Sequence, residues 1–315
     1  MKKMILAAVI MIMLAACSQA GEAGTEEAVN EELQIYTTVY PLTYFTERIG
    51  GEHVNTESVY PAGANEHTFE PTQQDMIALA EADAVFHIGL GLESFISDAK
   101  QTLTGEDVEF IATGESIPEE ELLTAGHEEG ESEEEHAAHE HGEVDPHVWI
   151  SPVLSKYLVQ SIQETLSSMD PENAAEYEKN AEELIAELEA LDSSFAELSE
   201  TAERDTFFVS HAAFGYFAET YGWEQVAIAG LNSQSEPSQQ ELTKIVDMAE
   251  EMGTEHIIFE QNVSSNLTEV VQQEIGAEAL QMHNLSVLTE EDIAAGETYF
   301  TLMEQNLETL RTALN

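Results

Sequence analysis

The chain has 315 residues, and its 9 Lys and Arg stand against 63 Asp and Glu, a formal charge of −54. Nucleic acid is excluded as a partner, because no basic surface exists to release phosphate counterions. The one cysteine excludes an intrachain disulfide, so stability must come from an apolar core, for which this length supplies two domains.

Residues 1–16 open with Lys2 and Lys3 and continue as an apolar run too short to span a bilayer, which reads as a signal peptide. The run ends in LAAC, resembling a lipobox in which Cys17 receives lipid and becomes the first mature residue. Residues 17–32 are small, polar and acidic, suited to a flexible tether between a membrane-held lipid and a folded body.

The body begins at Leu33. LQIYTTVYPL is a predicted strand stopped by Pro41, followed by the helix TYFTERIGG. VNTESVYP is a second strand, PTQQDMIALAEA a helix begun by Pro71, DAVFHIGLG a third strand and LESFISDAKQTL a helix. Units of this alternation predict an α/β fold with helices over a parallel or mixed sheet. Residues 126–142, GHEEGESEEEHAAHEHG, interrupt the pattern with a like-charged block that cannot build a core. SPVLSKYLVQSIQETLSSM resumes as a helix. Within 171–200, Tyr177, Leu184, Leu188, Leu191, Phe195 and Leu198 recur at spacings of three, four and seven. A helix there would be about 40 Å long, a strut between two lobes. Alternation then restarts with DTFFVSHAAFGYFAETYG, EQVAIAG, a helix begun by Pro237, HIIFE, NLTEVVQQEIG, ALQMHNLSVL and a closing helix. The expected organisation is a lobe at 33–165 that includes the acidic loop, a linking helix at 168–200 and a lobe at 204–315.

Three histidines occupy strand-to-helix or helix-entry positions: His67 in NEHTFEP, His147 in DPHVWI and His211 in SHAAFGYF. Open α/β sheets place ligands at such positions, and a site shared between lobes suits a small ligand. Asp145 is placed either to accept the ring N–H of a nearby histidine or to cap the helix after Ser151. Catalytic zinc with Glu66 or Glu260 as base was the enzymatic alternative. The chain lacks HExxH, GxSxG and Walker patterns, and the GLGLE run at 89–93 lacks dinucleotide-fingerprint spacing. Capture is favoured over turnover.

The motifs YPLTYFTERIGG, PAGANEHTFEPTQQD, DPHVWISP, SHAAFGYFAETYG, EPSQQEL and IIFEQNVSSNLTEVV follow in one order along the mature body. In these the chain resembles the zinc-binding branch of the metal-receptor lipoproteins of ABC importers, the cluster A-I or cluster 9 solute-binding proteins. The resemblance implies two Rossmann-like α/β lobes joined by one long rigid helix, with the metal in the cleft. It implies a monomer on the extracellular face of the cell membrane that delivers Zn²⁺ to an ABC permease driven by a separate ATPase. Family ligands fall on His67, His147 and His211, and a third histidine where manganese relatives carry a carboxylate favours zinc over manganese. Relatives carry a carboxylate where Ser286 stands here, which leaves the fourth position to water, Glu66, or His283 with a register shift. Some relatives were first named as adhesins, so surface adhesion is the rival reading. In the acidic loop, His127, His136, His139 and His141 are expected to hold zinc weakly, since neighbouring carboxylates favour the protonated imidazole.

Self-repulsion at a charge of −54 is tolerable where salt screens it to a few ångströms, which points to a salt-adapted organism. Melting curves should therefore show a higher midpoint in molar NaCl than in low salt; equal midpoints would remove the salt-adaptation reading.

Overall fold

A computed structural model describes residues 32–124, 144–235, 237–261 and 266–315. Among the described residues, eight strands form two parallel four-stranded sheets. The first holds β1 (Leu33–Thr37), β2 (Val54–Ser58), β3 (Ala84–His87) and β4 (Glu109–Ala112), in the order β2-β1-β3-β4. The second holds β5 (Thr206–His211), β6 (Glu224–Ala229), β7 (His256–Glu260) and β8 (Glu278–Met282), in the order β6-β5-β7-β8. Parallel pairing requires crossovers, and helices supply them. In both sheets the strand order reverses beside the first strand, between β1 and β3 and between β5 and β7. The carboxyl edge at such a reversal is where a ligand finds an open crevice.

The first helix, α1 (Tyr40–Gly50), begins earlier than the sequence suggested. Pro41 does not end a strand but occupies the first turn of the helix, where a missing N–H costs nothing. Pro41, Leu42, Phe45, Thr46 and Ile49 form its buried face. A side chain at Gly50 would run into Val54 Cγ2 and lie 2.6 Å from Val54 Cβ, so the helix-to-β2 turn demands glycine there. The helices α2 (Gln73–Ala80) and α7 (Gln239–Glu251) both start two residues after their prolines, because Thr72 and Ser238 form capping boxes with Asp75 and Glu241. A short helix, α9 (Glu290–Ala295), escaped the sequence reading although Thr289 and Asp292 form the same box. The remaining helices are α3 (Ile96–Thr102), α6 (Gly215–Tyr221), α8 (Asn266–Ile275) and α10 (Tyr299–Ala313).

Between the sheets in sequence lie α4 (Pro152–Met169) and α5 (Ala174–Thr201). Asp170 organises the turn between them, accepting from Asn173 Nδ2 at 2.6 Å and from the Tyr177 hydroxyl at 2.8 Å. α5 buries Tyr177, Ala181, Leu184, Leu188, Leu191, Phe195 and Leu198 along one stripe. Those residues belong to a single apolar cluster that also contains Ile35 and Phe86 of the first sheet and Phe207, Val209 and Ile258 of the second. A smaller cluster of Phe208, Ile228, Ala249, Ile257, Val271 and Ala277 covers the other face of the second sheet. Alternation along β5 sends Phe207 and Val209 to one cluster and Phe208 to the other, so all six β5 residues are buried. Among the described residues, no helix is long and apolar enough to cross a membrane.

The GLGLE run is a turn wrapped around a carboxylate. Gly89, Leu90 and Gly91 all have left-handed backbones, and buried Glu93 accepts from the Ile88 and Gly89 amides at 2.8 and 3.0 Å and from Thr38 Oγ1 at 2.7 Å.

Phe195 lies against Phe217 and Tyr221, with ring centroids at 4.6 and 5.6 Å, and fastens α5 to α6. Phe195→Ala should lower unfolding free energy by about 3–5 kcal/mol, read from the denaturant midpoint at constant slope. A loss comparable to a surface substitution, about 0.5 kcal/mol, would show that this packing does not hold α5.

Candidate metal centre

Three separate segments bring His67, His147 and His211 together. His67 lies in the loop between β2 and α2, where Asn65 Oδ1 accepts its backbone N–H at 3.1 Å. The same loop is held by the Gly63 amide, which donates to the Leu288 carbonyl at 3.0 Å. His147 follows Asp145, whose Oδ1 accepts both the His147 backbone N–H at 2.9 Å and its ring Nδ1–H at 2.7 Å. The Tyr216 hydroxyl donates to the Asp145 carbonyl at 2.7 Å. A side chain at residue 215 would come within 2.9 Å of Asp145 Oδ2, so Gly215 leaves room for this carboxylate. The capping role considered for Asp145 falls to Ser151, whose own side chain accepts from the Leu154 amide. His211 is the last residue of β5, and its Nδ1–H donates to Glu260 Oε2 at 2.8 Å. Glu260 is the last residue of β7, next to β5 at the point of reversed strand order.

The ring centroids stand 5.4 Å (His67–His147), 5.5 Å (His67–His211) and 4.9 Å (His147–His211) apart. One ligand atom from each ring lies within 4.8 Å of the others. With Nδ1 of His147 engaged by Asp145, its Nε2 is the free donor to the centre, and this atom and His67 Nε2 are buried without hydrogen-bond partners. Three convergent imidazole nitrogens offer three of the four donors of a tetrahedral zinc ion, whose Zn–N bonds are about 2.0–2.1 Å. The chemistry of this donor set fits a divalent metal.

Electrostatics differ sharply among the three rings. Burial, followed by the facing His147 and His211, pushes the His67 imidazole down to about 3, so it is neutral at physiological pH. Burial opposes charge on His211 as well, but the Glu260 carboxylate outweighs it and holds His211 above the usual histidine range. Glu260 is itself kept ionised against its burial by His211, Ser210 and Asn284, with Ser210 Oγ donating at 2.7 Å and Asn284 Nδ2 at 3.0 Å. His211 Nε2 lies 3.1 Å from the Leu231 carbonyl, so the protonated ring donates at both ends. Glu66, 3.9 Å from His67 Nε2, is raised by burial, and both its carboxylate oxygens are buried without hydrogen-bond partners.

The other residues singled out from sequence lie elsewhere. His283 accepts the Leu285 amide at Nδ1 and donates from Nε2 to Asp292 at 3.2 Å, so both its ring nitrogens are engaged away from the histidine cluster. Ser286 is buried and donates to Asn284 Oδ1 at 2.8 Å. Cys17 and the loop histidines His127, His136, His139 and His141 fall outside the described residues. In the sequence alone, Glu260 stands out only as a candidate base. The signal for its actual place was its position at the end of a strand, legible only once β7 was known to neighbour β5.

A family model described as the periplasmic zinc-uptake complex component A matches residues 35–313, and a prokaryotic membrane lipoprotein lipid attachment site matches residues 1–18. The chain is 33% identical over 307 residues to the high-affinity zinc uptake system protein ZnuA of Bacillus subtilis, covering 98% of this chain and 95% of that protein. It is 36% identical over 315 residues to the zinc-binding lipoprotein AdcA of Streptococcus pneumoniae, covering 99% of this chain but 61% of the relative. The chain thus spans about six-tenths of the length of that relative. The crystal structure of the Zn(II)-bound ZnuA-like domain of the same AdcA superimposes with a TM-score of 0.74 at 33% identity, covering 90% of this chain and 99% of that one.

A metal at His211 Nε2 must replace a proton that Glu260 helps to retain. Zinc affinity should therefore fall as pH drops, starting above the ordinary histidine value of about 6.5 and steepening toward about tenfold per pH unit for each proton displaced. Chelator competition at stepped pH measures this, and an affinity unchanged between about pH 8 and about pH 6 would contradict the protonation assigned to His211.

Proposed function

We propose that this chain, which belongs to the zinc-uptake complex component A family, captures a zinc ion outside the cell and delivers it to a membrane permease driven by a separate ATPase. The observation that carries the reading is the convergence of three imidazoles from separate segments on one buried point. His67, His147 and His211 are the ligands in this reading. Asp145 orients His147, and Glu260 does the same for His211. Glu66 is the fourth ligand, supported by its buried carboxylate oxygens beside His67 and by the commitment of His283 and Ser286 to other partners. The ion is cargo, and no bond within it or the protein is made or broken apart from coordination and proton release. The lobes span about 33–165 and 204–315, with the segment 168–200 between them. Cys17 carries the lipid that keeps the receptor at the extracellular face of the membrane, and residues 126–142 hold further zinc weakly. Nitrogen-rich coordination favours zinc over manganese, which prefers oxygen.

Elemental analysis of protein purified without added metal tests the site. One firmly held zinc is expected in the parent and none in His67→Ala, whereas tight zinc retained in that variant would dismiss this ligand set. In titration calorimetry, removing residues 126–142 should leave the tight site and abolish weaker binding. Loss of the protein should also slow growth when zinc is scarce, an effect that adhesion alone does not predict.

A further inference from the structure

His147 and His211 come from different parts of the chain, yet their rings stand 4.9 Å apart, closer than either stands to His67. One buried residue connects their supports. Asn284 has no exposed surface, and each of its four polar groups is engaged. Its Nδ2–H donates to Glu260 Oε2 at 3.0 Å, the oxygen that also accepts from His211. Its Oδ1 accepts from Gln261 Nε2 at 3.1 Å, from the Ser286 amide at 3.1 Å and from Ser286 Oγ at 2.8 Å. Its backbone N–H donates to Gln261 Oε1 at 3.2 Å, and its carbonyl accepts the Trp149 indole N–H at 2.8 Å. Trp149 lies two residues beyond His147, and its ring centroid is 5.3 Å from the His147 ring.

We propose that Asn284 is a positioning residue that ties Glu260, the carboxylate behind His211, to Trp149, the aromatic beside His147, and thereby sets the spacing of these two ligands. The inference rests on the zinc-binding reading above. An amide suits the position because it donates to an ionised carboxylate on one side and accepts on the other. Aspartate would face Glu260 with a second anion at this distance, and an alkyl side chain would leave a buried carboxylate short of a donor. The next residue, Leu285, has φ of 58°, a left-handed backbone uncommon for leucine. Such a conformation persists where its surroundings over-determine it, here through the His283 Nδ1 and Asn284 Oδ1 contacts.

The test is a double-mutant cycle on the full chain, with zinc affinity from chelator competition and ligand geometry from the visible bands of the Co(II)-substituted protein. Asn284→Ala should weaken zinc binding about 10–100-fold, as does loss of other groups that orient metal ligands, and should alter the Co(II) bands. Because Asn284 acts by joining Glu260 to Trp149, the double variant with Glu260→Gln should lose clearly less affinity than the product of the two single losses. Trp149→Phe keeps an aromatic ring but removes the indole N–H, and should weaken binding about 2–10-fold. Parent affinity with parent Co(II) bands in Asn284→Ala would overturn the proposal, as would losses that multiply independently in the double variant. Circular dichroism of the metal-free proteins checks the fold. If Asn284→Ala does not fold, the cycle of Trp149→Phe with Glu260→Gln decides by the same criterion. A parent chain without tight zinc would overturn the ligand set together with this inference, whereas tight zinc unaffected by these variants overturns the inference alone.

Discussion

Two imidazole nitrogens and a carboxylate are buried side by side at the centre of this protein with no hydrogen-bond partners. An unpaired buried polar atom costs about 1–3 kcal/mol, and close-packed side chains elsewhere must offset that cost. The rest of the structure serves this constraint. Two parallel sheets place His67 beyond the carboxyl end of β2 and His211 at that of β5, and Asp145 and Glu260 stand behind Nδ1 of His147 and His211. Those carboxylates fix which nitrogen is presented. At His211 the Glu260 carboxylate also raises the basicity of the ring, the property that makes imidazole a good ligand and lets a proton compete for it.

Rigidity comes from the way the apolar core is shared. One cluster runs from the first sheet through α5 into the second, so the sheets do not rest on separate cores. Hydrogen bonds across the same region join the segments that carry the histidines: Tyr216 to Asp145, Trp149 to Asn284, and Asn65 to Ser233. A ligand point assembled from such distant segments holds its spacing only when the intervening scaffold cannot shear. Side chains packed at crystal-like density supply that resistance.

Charge operates on a different scale. A net −54 draws cations toward the molecule at long range, with no preference among elements. In the proposed reading, selection belongs to the buried histidine cluster, where three nitrogens set the chemistry. Field and site are thus separable.

Local physics was legible in the chain before any coordinates. Period-two and period-3.6 apolar patterns announced the alternating strands and helices, and the stripe from Tyr177 to Leu198 announced the long helix, because each pattern depends on neighbours a few residues away. The three histidines stood out for the same reason, each placed by short-range turn and cap signals. Helix starts were less certain, since Pro41, Pro71 and Pro237 can stand within or just before a first turn and the capping side chains decide which. What the sequence could not contain was the partner of each ring. His211 meets Glu260 across 49 residues, Leu231 across 20, and Asn284 meets Glu260 across 24. The first pairing exists because β7 lies on one side of β5, the second because β6 lies on the other and the third because β8 follows β7 in the sheet; strand order is settled by packing of the whole sheet, not by any local signal.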